Sequence, residues 1–295
     1  MRVNPNPMPD LLEALNQSQL ETQQAMLEIS SGRSVNQPSD NPTAAALLVE
    51  NNDQATFNSG YLQSIGTVQG QLSTADSTLS SVISALQRAI SLGVEGANGT
   101  LSDSDRASIA NELQGIQSQL VSLSNASYEG RYVFAGTNTN TPPFVVDNTV
   151  PSGVSYVGNT DVNQVAIGNG NKLAINQPGS HLFSAPGNDV FLAINSLIQA
   201  LQTNTGIGDA VTSLGAANSY LSAQRVFYGN AANQAQSQST YLNAAKLQIA
   251  QQQNTLGGAD LAAAATNLSR SQIDTQATLA TISKLTQNNL FSYLK

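Results

Sequence analysis

The chain has 295 residues, of which only 10% are charged, against roughly 25% in an average soluble domain. Its net charge of −8 and its 11 basic residues argue against nucleic-acid binding, which needs clustered Lys and Arg. The absence of cysteine excludes disulfides, thiolate metal sites and thiol catalysis. No apolar run is long enough to span a bilayer, and the polar, proline-interrupted start predicts no ordinary signal peptide.

The first predicted helix begins at Asp10, which resembles an N-cap with the acidic Glu13 three positions later. It should end near Gly32, because glycine tolerates the left-handed C-cap geometry. Asn41 is then predicted to cap the next helix, with Pro42 at its first position. The apolar stripe of the first helix has steps of three and four residues and a polar middle, and it consists of Met8, Leu12, Leu15, Gln19, Thr22, Met26 and Ile29.

The second predicted helix runs from Thr43 to about Glu95, and its apolar residues recur every 3.5 positions on average. That spacing is typical of a helix in a coiled-coil-like bundle. A glycine-containing turn follows, and Ser102 with Asp105 forms a predicted capping box for a third helix, which ends near Gly130. The predicted core of these two helices consists of Ile65, Val68, Leu72, Leu79, Val82, Leu86, Ile109, Leu113, Ile116, Leu120 and Leu123.

The composition changes between residues 137 and 205. Short β-branched runs at 144–146, 154–157, 162–167 and 172–175 alternate with Gly, Pro and Asn turns, which predicts a small β-rich insert closed by one short helix. Helical spacing resumes from Leu214 to Leu256. After a break at Gly257 and Gly258, a last helix carries a second stripe with a polar middle, made of Leu261, Ala265, Leu268, Gln272, Thr275, Leu279 and Ile282.

These elements predict a mainly α fold: an elongated, coiled-coil-like helical rod with paired terminal helices and a small β-rich insert. The terminal helices would comprise residues 1–41 with 257–295, the rod 42–136 with 206–256, and the insert 137–205. Each terminal stripe offers apolar burial on the order of 10 kcal/mol, while ordering each residue costs about 1–2 kcal/mol. We therefore expect the ends to be mobile in the monomer, and limited proteolysis to remove about 35 residues from each end first.

No catalytic, cofactor or metal site is predicted. A single histidine, His181, cannot form a two-histidine metal motif, and it is more simply an incidental polar residue than part of a Ser-His-Asp triad. The stretch 168–172 lacks the spacing of a phosphate loop and reads as a hairpin turn. Asp103 and Asp105 lie at a helix start, where acidic groups complement the helix dipole.

Three long motifs then identify a resemblance. Residues 29–33 and 36–46 resemble the N-terminal signature of the flagellin superfamily, and residues 97–106 match the turn between its two N-terminal helices. Residues 128–137, with 141–144, are similar to the branch of that superfamily that joins the flagellar hook to the filament. The resemblance covers residues 1–144 and about 206–295.

The resemblance implies a structural protein without enzymatic activity or cofactors, located outside the cell in the bacterial flagellum. Such proteins form a ring, contacting copies of themselves, the other hook-associated junction protein and flagellin. They bind no nucleic acid, do not insert into membranes, and leave the cell through the flagellar type III apparatus after release from a cytoplasmic export chaperone. A minor flagellin, a secreted coiled-coil adhesin, and an enzyme in the insert stay open as alternatives.

The resemblance also implies roles for the terminal helices, which form an inner coiled-coil layer in the assembled superfamily. Carried over to this chain, the implied assembly interface consists of Leu12, Leu15, Met26, Ile29, Leu261, Leu268, Leu279 and Ile282.

Overall fold

The computed structural model describes residues 7–291, with side chains up to residue 286. Its elements are α1 (Met8–Ser31), α2 (Pro42–Gly96), α3 (Asp103–Ser124), β1 (Ser127–Tyr128), β2 (Arg131–Tyr132), β3 (Phe144–Val146), β4 (Val154–Tyr156), β5 (Gln164–Gly168), β6 (Asn171–Ala174), α4 (Gly179–Phe183), α5 (Val190–Thr203), α6 (Ile207–Gly257) and α7 (Leu261–Phe291). Long helices dominate and the short strands fall mainly in the insert, which confirms the predicted fold class. Within the described range, no helix combines the length and hydropathy of a membrane span.

Most helix ends follow the predicted capping residues. The predicted end of the third helix near Gly130 is wrong, because α3 ends at Ser124 and the chain then forms the β1–β2 hairpin, whose turn contains Gly130 at a φ of 76°. Asn41 Oδ1 accepts a hydrogen bond of 3.0 Å from the Ala44 amide at the start of α2, and Gly32 ends α1 with a φ of 66°. The Ser102–Asp105 capping box is present in full. The N-cap role predicted for Asp10 is wrong, because α1 begins two residues earlier: prolines are tolerated in a first turn, where the amides have no helical acceptor.

The chain divides into two compact units. The terminal unit comprises Met1–Phe57 and Ala244–Lys295, of which residues 1–6 and 292–295 lie outside the described range. The central unit comprises Asn58–Asn243. Since α2 and α6 continue across the boundaries, each helix contributes to both units.

The core of the central unit contains the stripes of α2 and α3. Ten of the eleven residues predicted for this core are buried, and Leu123 is half-buried against it. The same core includes α5 and a stripe of α6 that contains Leu214, Leu221 and Tyr228. A bidentate ion pair joins α2 to α6: Asp76 accepts from Arg225 Nε at 2.6 Å and from Nη2 at 2.8 Å.

The insert contains two separate antiparallel hairpins, β3–β4 and β5–β6, rather than one sheet, and a third hairpin, β1–β2, precedes it. Two-stranded hairpins are marginally stable alone, so their support must come from elsewhere. One support is an aromatic cluster in which Phe144 lies 5.5 Å from Phe183 and 5.3 Å from Phe191, measured between ring centroids. The hairpin turn predicted at 168–172 is confirmed by the pairing of β5 with β6.

Carboxamide side chains supply the other support. Asn125, directly after α3, donates to the Phe144 carbonyl at 2.8 Å and accepts from the Phe144 amide at 2.9 Å. Asn176 donates to the Gly136 carbonyl at 3.1 Å, and Asn195 donates to the Pro151 carbonyl at 2.7 Å. These side chains satisfy backbone groups that short hairpins cannot pair among themselves.

Candidate assembly site on the terminal helices

The terminal helices α1 and α7 pack against each other as an antiparallel pair. Its base is fixed by two backbone hydrogen bonds, from the Ser34 amide to the Gly257 carbonyl at 2.8 Å and from the Ala259 amide to the Gly32 carbonyl at 3.1 Å. The residues of each helix with the least exposure recur at steps of three and four and define a seam. The seam consists of Leu11, Leu15, Ser18, Thr22 and Ala25 on α1 and of Ala264, Leu268, Ser271, Thr275, Thr278 and Ile282 on α7.

The middle of the seam is a cluster of hydroxyl groups. Ser18 Oγ donates to the Ser271 carbonyl at 2.7 Å and shares a hydrogen bond of 2.7 Å with the Thr275 hydroxyl. Thr22 Oγ1 donates to Ser271 Oγ at 2.9 Å. Ser18 and Ser271 are 5% and 2% exposed, so these polar groups are buried between the helices. Of the polar middle predicted for the two stripes, Thr22 and Thr275 belong to this cluster, whereas Gln19 and Gln272 are exposed. The hydrogen bonds among the hydroxyl groups offset the cost of burying them.

The implied interface residues occupy two different positions on this pair. Leu15, Leu268 and Ile282 are half-buried in the seam. The other five face outward, since the helices approach each other through small residues such as Ser18 and Ala25. The outward-facing residues are Leu12, Met26, Ile29, Leu261 and Leu279.

Four of the outward residues share one side of the pair. At 100° per residue, Leu12 and Met26 flank the α1 seam on the same side as Leu261 and Leu279 flank the α7 seam. The hydrogen bonds across the seam place Leu12 level with Leu279. We call these four residues the apolar flank; each is between 49% and 53% exposed. The opposite side of the pair is a polar groove, lined among others by Gln17, Glu21, Gln24 and Glu28.

The residues for which the sequence analysis considered a catalytic role, His181, Asp103 and Asp105, form structural contacts. The His181 carbonyl accepts a hydrogen bond of 3.0 Å from Tyr220 Oη. Hydrogen bonds from the side chain and backbone of Ser102 lower the pKa of Asp105, whose carboxylate completes the capping box. Asp103 forms an ion pair with Arg106. Among residues 7–291, no group of three His, Cys, Asp or Glu side chains is placed to hold a metal ion.

Paired terminal helices with an exposed apolar flank, together with long central helices, define a mainly helical protein with apolar surface left unburied at its terminal unit. Two family models match the chain: the bacterial flagellin N-terminal helical region over residues 6–139 and the bacterial flagellin C-terminal helical region over residues 207–294. The chain belongs to the flagellin family, a family of structural flagellar proteins, as its motifs predicted.

Individual relatives agree with the family. The chain is 30% identical to flagellar hook-associated protein 3 of Escherichia coli K12 over 213 residues, which are 68% of this chain and 66% of that protein. It is 40% identical to the protein of the same name in Salmonella typhimurium over 134 residues, 45% of this chain and 42% of that protein. The first match spans just under two thirds of the Escherichia coli protein, and the second spans less than half of the Salmonella protein. A putative flagellar hook-associated protein from Vibrio parahaemolyticus shares the fold, with a TM-score of 0.67 at 22% identity, over 74% of this chain and 100% of that chain.

Proposed function

We propose that this chain is a structural protein of the bacterial flagellum that joins the hook to the filament. Two relatives that are themselves named flagellar hook-associated protein 3 support this function. The partners proposed are further copies of the chain in a ring, a second hook-associated protein, flagellin and an export chaperone. The proposed location is outside the cell, reached through the flagellar type III apparatus.

The observation that carries the proposal is the apolar flank. Four large side chains of the terminal helices remain about half exposed although α1 and α7 already pack against each other. Burying the exposed half of each against a neighbouring subunit would contribute about 3–6 kcal/mol per copy. Neighbours that pack around the pair would also bury more of the surface of the half-buried seam residues Leu15, Leu268 and Ile282.

The test is complementation of a strain that lacks its own junction protein. The wild-type chain should restore attached filaments and swimming, whereas Leu279→Asp should abolish both, because it places a charge in the buried interface. Gln276→Asp is the matched control, since it adds the same charge at an exposed, already polar position of α7. Circular dichroism of both purified variants should match the wild type.

Two outcomes would contradict the proposal. Motile cells with normal filaments in the Leu279→Asp strain would show that assembly does not need the apolar flank. Long filaments grown from the purified chain on flagellar seeds would instead indicate a minor flagellin, because a junction protein should not polymerise indefinitely.

A further inference from the structure

A second candidate site lies at the base of the terminal unit, where α1 ends and α7 begins. It is a cavity of about 520 Å³. Arg33, which follows the C-cap Gly32 of α1, lines it together with Asn52 of α2 and with Gln253 and Asn254 of α6. The apolar flank does not include these residues, and the proposed function has so far assigned nothing to them.

Arg33 differs from most arginines of this chain in having no acidic partner. Within residues 7–291, four arginines form ion pairs with Asp or Glu, while Arg33 and Arg131 form none. The Arg33 backbone is held in place, since its amide donates to Ser31 Oγ at 3.1 Å and its carbonyl accepts from Asn36 Nδ2 at 2.8 Å. Arg33 is an exposed residue, and it is the only charged residue among those that line the cavity.

The side chains that line the cavity offer hydrogen-bond donors, but the cavity has no carboxylate of its own to accept from them. The carboxamides of Asn52, Gln253 and Asn254 form no side-chain hydrogen bond with any described residue, and no Asp or Glu lines the cavity. A guanidinium presents two parallel N–H groups that match the two oxygens of a carboxylate. The amide groups can add further donors at the rim. The chemistry of the cavity therefore suits a carboxylate and disfavours a cation.

We propose that this cavity receives an Asp or Glu side chain from a second copy of the chain. The proposal rests on the proposed function, because it concerns contacts between assembled copies. Each copy carries 19 acidic against 11 basic residues, so carboxylates without a partner in their own chain are abundant. The outward-facing Ile29 and Leu261 lie within four residues of Arg33 and Gly258, so the cavity continues the surface proposed for assembly.

Carbodiimide coupling of Arg33→Lys provides a direct test. The reagent joins a lysine amine to a contacting carboxylate as an amide, with the oxygen of the lost water transferred to the reagent. Flagella built with Arg33→Lys should yield a product of twice the chain mass whose linked peptides join residue 33 to an Asp or Glu. Arg131→Lys, at the other arginine without an ion pair, is the control and should yield at least about tenfold less.

Arg33→Gln should reduce the number of attached filaments about tenfold or more, Arg33→Lys should reduce it less because it keeps the charge, and Arg131→Gln should leave it unchanged. The proposal is overturned if residue 33 couples only within its own chain, only to another flagellar protein, or no more than residue 131. It is also overturned if inorganic phosphate raises the melting temperature of the wild-type chain but not of Arg33→Gln, since the cavity would then bind a free anion.

The two proposals can fail separately. If the wild-type chain restores filaments but residue 33 yields no two-copy product, the inference fails and the proposed function stands. If the wild-type chain restores no filaments, the proposed function fails. In that case the inference is tested by carbodiimide coupling of the concentrated, purified full-length Arg33→Lys chain. A two-copy product linked at residue 33 would support it, and the absence of that product would overturn it.

Discussion

Tyr228 connects the insert to the central helices, and its removal allows a quantitative test. Its ring is fully buried on α6 and lies edge to face on Phe134, 6.5 Å between centroids. Its hydroxyl accepts a hydrogen bond of 3.2 Å from the backbone amide of Gln177, which follows β6. Tyr228→Phe keeps the ring but leaves this amide without its acceptor. Because an unsatisfied donor costs about 1–3 kcal/mol, the free energy of unfolding of the central unit should fall by that amount.

Hydrogen exchange provides the assay, because it reports on the central unit separately from the terminal one. The Gln177 amide and its neighbours should exchange faster in Tyr228→Phe. Tyr241→Phe removes the same hydroxyl from a residue of α6 that is 66% exposed, and it should change stability by less than about 0.5 kcal/mol. Equal exchange of Gln177 in the two variants would refute the role of the Tyr228 hydroxyl.

The same residue predicts alkaline sensitivity. Burial raises the pKa of the Tyr228 hydroxyl, and the hydrogen bond from Gln177 opposes this only in part. An unfolded tyrosine releases its proton near pH 10, whereas the folded chain still retains it there. The unfolded state therefore binds fewer protons, and stability should fall as the pH rises above about 10. Tyr228→Phe should lose less stability over this range than the wild type, measured by urea titrations at a series of pH values.

Two further predictions concern the central unit, one about backbone conformation and one about an ion pair. Gly136 has a φ of 74°, and an added methyl group would overlap the Asn159 carbonyl, whereas Gly130 has a φ of 76° and open space around it. Gly130→Ala should cost about 1 kcal/mol and Gly136→Ala several times more, and equal shifts in melting temperature would contradict this. The hydrogen bonds from Arg225 lower the pKa of Asp76, so this ion pair stabilises above the ordinary aspartate pKa and is lost as the pH falls below about 4. Since both partners are over a third exposed, Asp76→Asn should cost at most about 1 kcal/mol at pH 7 and abolish that acid dependence in urea titrations.

The central helices could be predicted from the sequence because their information is local. Apolar residues recur every three or four positions along α2, and both the large ones and the small ones among them, such as Ala75 and Ala89, are buried. Ser102 and Asp105 mark a helix start through contacts only three residues apart. Patterns of this range are visible in a single sequence.

The insert could be predicted in composition but not in arrangement. Its strands were visible as β-branched runs, yet the contacts that position them join distant residues. Asn125 holds Phe144 across 19 positions, and Asn176 holds Gly136 across 40. An asparagine that pairs with a remote backbone group is indistinguishable in sequence from one that faces water, so the two separate hairpins of the insert could not be derived.

The terminal pair shows a different limit, because the size of a side chain was a poor guide to its position. The heptad stripe assigned Leu12, Gln19 and Met26 to the contact between helices, whereas the seam uses Leu11, Ser18 and Ala25. Small residues permit close approach of the helices, and hydroxyls that pair with one another make a polar seam acceptable. The signal available in the sequence was the run of Ser and Thr residues at heptad spacing in the middle of both stripes.

The terminal pair has stabilising contacts of two kinds. Within the seam, hydroxyl hydrogen bonds, whose net contribution is about 1 kcal/mol each, add to the partial burial of residues such as Leu15, Leu268 and Ile282. Further apolar surface remains on the flank, where no described residue of the chain covers it fully. Burial of that surface against a neighbour would contribute about 3–6 kcal/mol, which is comparable to or larger than the contribution of the hydroxyl cluster. The distribution therefore supports a terminal unit that gains further stability in the assembly, where the apolar flank and the Arg33 cavity would both be occupied.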